Sequence, residues 1–347
     1  MNLKYAVGID VSMKSFACCL SVINVQQEVK VKASHKFTNA LTGFGSLLEW
    51  VKRHAKEDLP VVFVMEATGV YHESLAWFLH SKEQPVSILL PNKAKNYLKA
   101  IGAKSKNDSI DARGLAQIGA EKKLDLWVPP SKQLHALRAY TRHHQSTTET
   151  HTVMSNQLHA IQHSQFQNKE IIKQLKQFIR LCEKQLKETE LAIAKTIKED
   201  DVLNQHYQNI SAIKGISLLS FAVIAAETNG FILFNNAACL VSYAGYDVVE
   251  NQSGKHTGKT KISKKGNSRI RRILHMPALC AVRDDQPQFK NLFERVFERT
   301  KVKMKGYVAV QKKLLVMMYY LWKKKQKYDP AFDQQQKIIA PEFQGYT

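Results

Sequence analysis

Short strand-like segments alternate with helical spacing through residues 1–122, and this alternation constrains the fold of the chain most strongly. The first three segments have short connections, which favour antiparallel neighbours. Two later segments are continuous apolar runs, as is typical of strands buried on both faces. The predicted strands cover residues 5–10, 16–23, 29–37, 61–65 and 86–90, and the predicted helices cover residues 41–55, 71–81 and 108–122. The order βββαβαβα predicts an α/β domain over residues 1–130.

Residues 131–200 contain almost no glycine or proline and predict an arm of two long helices. Apolar residues recur in the second helix at intervals of three and four, which is typical of an amphipathic helix or a coiled coil. They are Ile171, Leu175, Phe178, Cys182, Leu186, Ile193 and Ile197. The arm is either an ordinary packed pair of helices or a contact between protomers. A mostly α-helical domain is expected over residues 201–330, followed by a tail at 331–347.

The charge of the chain points to a polyanionic partner. There are 51 lysines and arginines against 30 acidic residues, a formal net charge of +21. Such an excess favours nucleic acid as the partner. No apolar run reaches the ~18 residues of a membrane-spanning helix, and no signal peptide is recognisable, so a cytoplasmic protein is expected. The five cysteines lack metal-site spacing and are expected to be buried, reduced thiols.

Four acidic residues lie at the ends of predicted strands or at the start of a predicted helix, in positions that suit a metal site. Asp10 and Glu66 each end a strand, and parallel neighbours that stop at one edge of a sheet would bring them together. Asp108 and Asp111 lie three apart at a helix start and share one face. Oxygen ligands suit Mg²⁺ or Mn²⁺, which would offset the repulsion between the carboxylates. The alternative is that these acids are surface residues and helix caps.

A basic stretch in the third domain predicts a binding site for phosphate groups. Residues 255–272 contain no acidic residue. Gly254, Gly258 and Gly266 lie in or beside this stretch. The cations are Lys255, Lys259, Lys261, Lys264, Lys265, Arg269, Arg271 and Arg272. A helix is expected to begin near Asn267, which is a suitable N-cap. Two serines, Ser253 and Ser263, are candidate nucleophiles that clustered cations would assist, and the physics of the sequence does not choose between them.

Three motifs resemble those of one family of insertion-sequence transposases. They are Gly8-Ile-Asp10, Met65-Glu66-Ala-Thr-Gly69-Val-Tyr71 and Lys106-Asn-Asp108-Ser-Ile-Asp111-Ala-Arg113. This DEDD family pairs a RuvC-like domain of the RNase H fold with a serine-containing transposase domain, and it includes pilin-gene invertases and bridge-RNA-guided recombinases. The resemblance covers residues 5–325. It implies that Asp10, Glu66, Asp108 and Asp111 are the catalytic, Mg²⁺-binding tetrad.

The resemblance also extends to the serine-containing domain. Ser253-Gly254, the basic stretch and Ile262-Ser-Lys-Lys-Gly-Asn267 are similar to the family pattern, which maps the nucleophile onto Ser253. The segment Gly245-Tyr-Asp-Val-Val departs from that pattern because it lacks a proline. The implied activity is DNA recombination through a 5′-phosphoserine intermediate. The implied partners are donor and target DNA, a noncoding bridge RNA and further protomers in a homodimer or homotetramer, with the active site shared between protomers.

Three other functions remain open from the residues. A metal-dependent Holliday-junction resolvase or nuclease would use water as the nucleophile. A non-catalytic nucleic-acid-binding protein would use only the charge. In the third reading, Asp10 is a phosphate-loop residue of the actin and sugar-kinase superfamily, but Ser12 stands where that motif has glycine.

Overall fold

The structure is a computed structural model that describes residues 1–67, 69–102, 107–250, 252–253, 256–258, 261–284 and 286–330. The chain divides into two units, the first comprising Met1–Pro129 and the second beginning at Pro130. The predicted tail at 331–347 lies outside the described residues. None of the helices in the described ranges has the length and apolarity needed to span a membrane.

The first unit is built on a five-stranded mixed sheet. Its strands are β1 (Asn2–Val11), β2 (Ser15–Asn24), β3 (Val29–Thr38), β4 (Val61–Glu66) and β5 (Val86–Leu89). The strand order is β3-β2-β1-β4-β5. The first three strands form antiparallel pairs, whereas β4 and β5 continue the sheet in parallel with β1. This topology is that of the RNase H fold, so the fold predicted from the family resemblance is confirmed.

In the described part of this unit, four helices cover the two faces of the sheet. They are α1 (Leu41–His54), α2 (Glu73–Ser81), α3 (Pro91–Ala100) and α4 (Asp108–Glu121). The alternation of side chains along a strand sends Val7 and Ile9 to the face that α1 and α2 cover. Ala6 and Gly8 point to the opposite face, where α4 packs. The helix α3 was not predicted, because Ala94 is its only buried residue.

The second unit is mainly helical, as predicted. It contains the helical arm, α5 (Lys132–Gln162) and α6 (Lys169–Lys198), which pack against each other. The other helices are α7 (Asp201–Ser211), α8 (Leu218–Glu227), α9 (Ala237–Tyr243), α10 (Ser268–Ile273), α11 (His275–Arg283), α12 (Pro287–Thr300) and α13 (Lys303–Lys324). Every residue of α8 from Ser220 to Glu227 is buried, because the surrounding helices enclose this apolar segment.

The described residues between α9 and α10 include four two-residue strands. They are β6 (Val248–Val249), β7 (Gln252–Ser253), β8 (His256–Thr257) and β9 (Lys261–Ile262). β6 pairs with β9 and β7 pairs with β8, both antiparallel. These four paired strands are called the serine hairpin, and Ser253 lies in the inner pair.

Two expectations about side chains need correction. Ile171 and Phe178 were expected on the apolar stripe of α6, yet 41% and 55% of their surfaces are exposed, because the described residues that pack against α6 leave these two positions uncovered. All five cysteines are free, as expected, and Cys18, Cys19 and Cys182 are buried. Cys239 is exposed on the first turn of α9 and Cys280 is half-buried, so the expectation of burial was wrong for these two.

Candidate active site and nucleic-acid interface

Asp10 and Glu66 lie at the same edge of the sheet, on neighbouring parallel strands. The register pairs Ile9 with Met65, and Asp10 and Glu66 are the next residues along β1 and β4. Both follow a buried residue of the α1 face, so alternation directs both side chains to the face on which α4 packs. The sheet therefore presents two carboxylates side by side beneath the start of that helix.

The packing of α4 against Gly8 brings two more carboxylates to this edge. A Cβ atom on Gly8 would lie 2.0 Å from the carbonyl oxygen of Ala112 and 2.1 Å from the backbone nitrogen of Ala116. Four helical residues advance about as far as two strand residues. The turn that begins at Asp108 is consequently level with Asp10. The side chain of Asn107 caps this turn by accepting a hydrogen bond from the backbone N–H of Ile110 (2.8 Å).

The four carboxylates share the edge without closing on one point. Asp108 is exposed and its Oδ2 lies 3.5 Å from Nζ of Lys36 on β3. Within the described residues, no three Asp, Glu, His or Cys side chains gather closely enough to hold a metal ion. The donor set, four carboxylates and no sulfur, suits Mg²⁺ or Mn²⁺. An ion bound by all four acids would have to compete with Lys36 for Asp108.

The serine hairpin is fixed at its base by backbone hydrogen bonds. The N–H of Ser263 donates to the carbonyl of Asp247 (2.8 Å), and the N–H of Lys264 donates to the carbonyl of Gly245 (3.1 Å). Gly266 allows a further close approach, because a Cβ atom there would lie 2.4 Å from the carbonyl oxygen of Tyr243. The backbone of Ser253 pairs with that of His256 in the β7–β8 ladder. The hairpin thus carries Ser253 on a fixed base.

A buried carboxylate beneath this base was missed by sequence reasoning. Glu227 ends α8 with 3% of its surface exposed. Arg142 donates to both of its oxygens (2.9 and 3.2 Å), and Nδ2 of Asn267 donates to its Oε2 (2.7 Å). The only sequence signal was a single acid at the end of the apolar run 218–226. Glu227 thereby joins α5, α8 and the start of α10.

The charge of Glu227 is maintained by these partners. Burial favours the neutral acid, but the hydrogen bonds and charge of Arg142 outweigh burial, together with Asn267 and Arg269, and the pKa of Glu227 is lowered. Asn267 is also the N-cap of α10, as predicted, because its side chain accepts from the N–H groups of Arg269 and Ile270. The carboxylate therefore orients the residue at which the basic helix begins.

The predicted cations differ in their surroundings. Three of them have internal partners: Nη1 of Arg271 donates to the carbonyl of Ala244 (2.8 Å), Arg272 forms an ion pair with Glu149, and Arg269 lies 4.0 Å from Glu227. Lys261, Lys264 and Lys265 are exposed. Lys255 and Lys259 lie outside the described residues. The side chain of Ser263 contacts its own loop, because its Oγ accepts a hydrogen bond from the backbone N–H of Lys265 (3.2 Å).

Two family models match the chain in sequence order. A DEDD transposase model of the IS110 type, described as "Transposase", matches residues 7–167. The model described as "Transposase IS116/IS110/IS902 family" matches residues 207–294. The first match contains the four acids at the sheet edge, and the second contains Glu227, Ser253 and the basic stretch.

The chain is also similar over most of its length to two curated proteins. The pilin gene-inverting protein of Moraxella bovis is 27% identical over 330 residues, which cover 94% of this chain and 98% of that protein. The pilin gene-inverting protein of Moraxella lacunata matches with the same identity and coverage. Among solved structures, T. thermophilus RuvC in complex with a Holliday junction substrate has a TM-score of 0.27 and 10% identity, and it covers 34% of this chain and 93% of that chain. That structural similarity is too weak to add to what the strand order shows.

Proposed function

The chain belongs to the IS110 family of DEDD transposases and is a DNA transposase or recombinase; from this premise, we propose that it cuts DNA with Ser253 as the nucleophile, assisted by Asp10, Glu66, Asp108 and Asp111. The observation that carries the proposal is the convergence of three elements, β1, β4 and α4, on one sheet edge. The register between β1 and β4 and the close packing of α4 on Gly8 support this convergence.

The proposed roles follow from the chemistry of the side chains. The four carboxylates would hold Mg²⁺ or Mn²⁺, which would polarise the scissile phosphate and stabilise the negative charge on its oxygens. Oγ of Ser253 loses its proton and attacks the phosphorus. The bond to the 3′ oxygen breaks, and that oxygen takes up a proton. The DNA is left joined to Ser253 through its 5′ phosphate. The phosphoserine bond retains the free energy of the broken phosphodiester bond, so rejoining of the strand requires no nucleoside triphosphate.

The basic residues bind the DNA backbone in this proposal. Lys261, Lys264 and Lys265 are exposed on the hairpin and just after it, where phosphates adjoining the cleavage point would lie. Lys255 and Lys259 belong to the same stretch. Arg269, Arg271 and Arg272 combine contacts within the protein with charge toward the DNA. We also propose a noncoding bridge RNA as a partner, which the net charge of +21 supports.

A trapped covalent adduct tests the proposal. The protein is incubated with its flanking DNA and Mg²⁺, denatured, and digested for mass spectrometry. We expect a phosphonucleotide on Ser253, no adduct with Ser253→Ala, and a normal adduct with Ser263→Ala, which is the matched control from the same segment. An adduct on Ser263 would overturn the assignment. Full-rate cleavage by Ser253→Ala would favour a nuclease with water as its nucleophile, and absence of any cleavage or adduct would favour a non-catalytic binding protein.

A further inference from the structure

A groove of about 690 Å³ runs beside the base of the serine hairpin, between it and the helices α12 and α13. The hairpin contributes Val248, Lys261 and Ile262, which pair in the β6–β9 ladder. The groove is therefore continuous with the segment that carries Ser253. All of its lining belongs to the second unit.

The rim of the groove is strongly cationic. Its charged residues are Lys261, Lys264, Arg299, Lys305 and Lys312, and none of the described residues that line it is acidic. Each of the five is exposed, and within the described part of the chain none of them takes part in an ion pair. This differs from Arg272 and Lys36, which have carboxylate partners. Five unneutralised cations around one groove attract an anion with several charges.

The floor of the groove is apolar. Val296 of α12 and Met304 and Val308 of α13 all line it, and 54% of the surface of Met304 is exposed. A duplex presents phosphates outward and keeps its bases stacked inside, so it would leave this floor in contact with water. An unpaired strand offers both phosphates for a cationic rim and base faces for an apolar floor.

We propose that this groove binds an unpaired stretch of the DNA strand that Ser253 attacks. Phosphates would lie against Arg299, Lys305 and Lys312, and at least one base would rest on Met304 and Val308. The choice of DNA rests on the proposed function, because the groove adjoins the hairpin that bears the nucleophile. The three cations of the helices are additional to those of the basic stretch.

Equilibrium binding in the Ser253→Ala protein tests the groove without requiring cleavage. The groove variant carries Arg299→Gln, Lys305→Gln and Lys312→Gln. The control variant carries Lys52→Gln, Arg53→Gln and Lys56→Gln, which removes one arginine and two lysines from exposed positions at the end of α1, the end opposite the four acids. The probes are single-stranded DNA, RNA of the same sequence and the corresponding DNA duplex.

The groove variant should bind single-stranded DNA about tenfold more weakly, and its salt slope should fall by about 2, since three phosphate contacts are lost. The control variant should stay within about twofold of the parent protein. Met304→Ser should weaken binding of the single strand and leave duplex binding unchanged. Because Met304 is exposed near the start of α13, this variant should fold normally.

Three results would overturn the inference. Unchanged binding of single-stranded DNA by the groove variant would exclude the groove as its site. Equal losses of affinity for the single strand and the duplex in Met304→Ser would exclude the role of the apolar floor. A loss confined to the RNA probe would assign the groove to RNA. The adduct experiment on Ser253 tests the proposed function separately from the groove. A protein whose groove binds DNA can still form no adduct, and a protein whose groove has lost its charge can still form one.

Discussion

Gly8 is the residue that sets the height of α4 above the sheet. The helix backbone passes so close to β1 that a methyl group at this position would overlap Ala112 and Ala116. The first turn of α4, with Asp108 and Asp111, is thereby held near Asp10. A single missing side chain thus determines whether the carboxylates of two elements share one edge.

We expect Gly8→Ala to lower the free energy of unfolding by about 3 kcal/mol, because α4 must move away from backbone atoms that cannot yield. Gly45→Ala is the matched control. Its Cβ would meet nothing within 4 Å on α1, so it should raise the stability by about 0.5–1 kcal/mol through the better helix propensity of alanine. Urea unfolding monitored by circular dichroism measures both. Similar small effects at the two positions would contradict the close packing.

Glu227 gives the second unit a pH dependence whose direction follows from its lowered pKa. The folded protein binds a proton at this carboxylate less readily than the unfolded chain does. Its contribution to stability is therefore complete above the ordinary glutamate pKa of about 4.5 and is lost as the pH falls below it. Glu227→Gln should cost about 2 kcal/mol at neutral pH and should flatten the acid limb of the stability curve.

The exposed Glu149 provides the control for this measurement. It pairs with Arg272 at the surface, where ion pairs contribute little. Glu149→Gln should therefore leave the stability near that of the parent protein. The free energy of unfolding is measured by urea titration from pH 7 down to about pH 2, so that the range below the ordinary glutamate pKa is covered. An acid limb that is unchanged in Glu227→Gln would show that other carboxylates account for it.

At the scale of elements, the sequence predicted what depends on local patterns. The five strands of the sheet were found because apolar or alternating runs bounded by polar residues mark them. Helix α3 was missed because one buried residue makes no stripe. The pairs β6–β9 and β7–β8 were not predicted, because strands of two residues carry no periodicity. The ends of β1 and β4 and the start of α4 were predicted, so the four acids were identified as candidates.

Contacts that depend on register or on tertiary packing were not predictable in this way. Lys36 reaches Asp108 because the β2–β3 register sets Lys36 opposite Ala17, and several registers fit the sequence of β3 equally well. Glu227 was missed because its arginine partner lies on α5, 85 residues away in the chain. Both contacts involve an acid whose partner is distant in sequence.

The contact between β3 and α4 predicts how the sheet edge responds to metal. Mg²⁺ at about ten times its dissociation constant should raise the melting temperature by about 2–4 °C, and Glu66→Gln should abolish this shift. Lys36→Gln should lower the Mg²⁺ concentration needed for the shift, because Lys36 competes for Asp108. Lys32→Gln is the control, an exposed lysine of the same strand. Differential scanning calorimetry measures the shifts, and an equal response in Glu66→Gln would contradict the site.

At the scale of the whole molecule, the helical arm exposes apolar surface that the described residues of the chain leave uncovered. Phe166 is 90% exposed, Phe178 is 55% exposed and Leu181 is 50% exposed. Phe178 and Leu181 lie three apart and share a face of α6. Large exposed apolar side chains grouped on one element favour association with another protein surface. We propose that the arm is a contact between protomers.

A shared active site in such an oligomer can be recognised by complementation. By the proposed function, Asp10→Asn should inactivate the acid edge and Ser253→Ala should remove the proposed nucleophile. In a mixed dimer with sites shared between protomers, one site combines both defects and the other is complete. With each site inside one protomer, both sites are defective. The two variants, each with a different affinity tag, are produced together, and mixed dimers are isolated through both tags.

We expect the mixed dimer to form the DNA adduct at about half the yield of the wild-type protein, since one of its two sites is complete. Each variant alone should form none. Adduct yield is the appropriate measurement, because complete strand exchange requires both sites. A mixed dimer without adduct would place the acids and Ser253 of each site in one chain. A second mixed dimer tests whether the groove acts on the serine of its own chain. It pairs Ser253→Ala with a double variant that carries Asp10→Asn and Arg299→Gln, so the chain that supplies Ser253 lacks Arg299. If the groove serves the serine of its own chain, this dimer should form less adduct than the first.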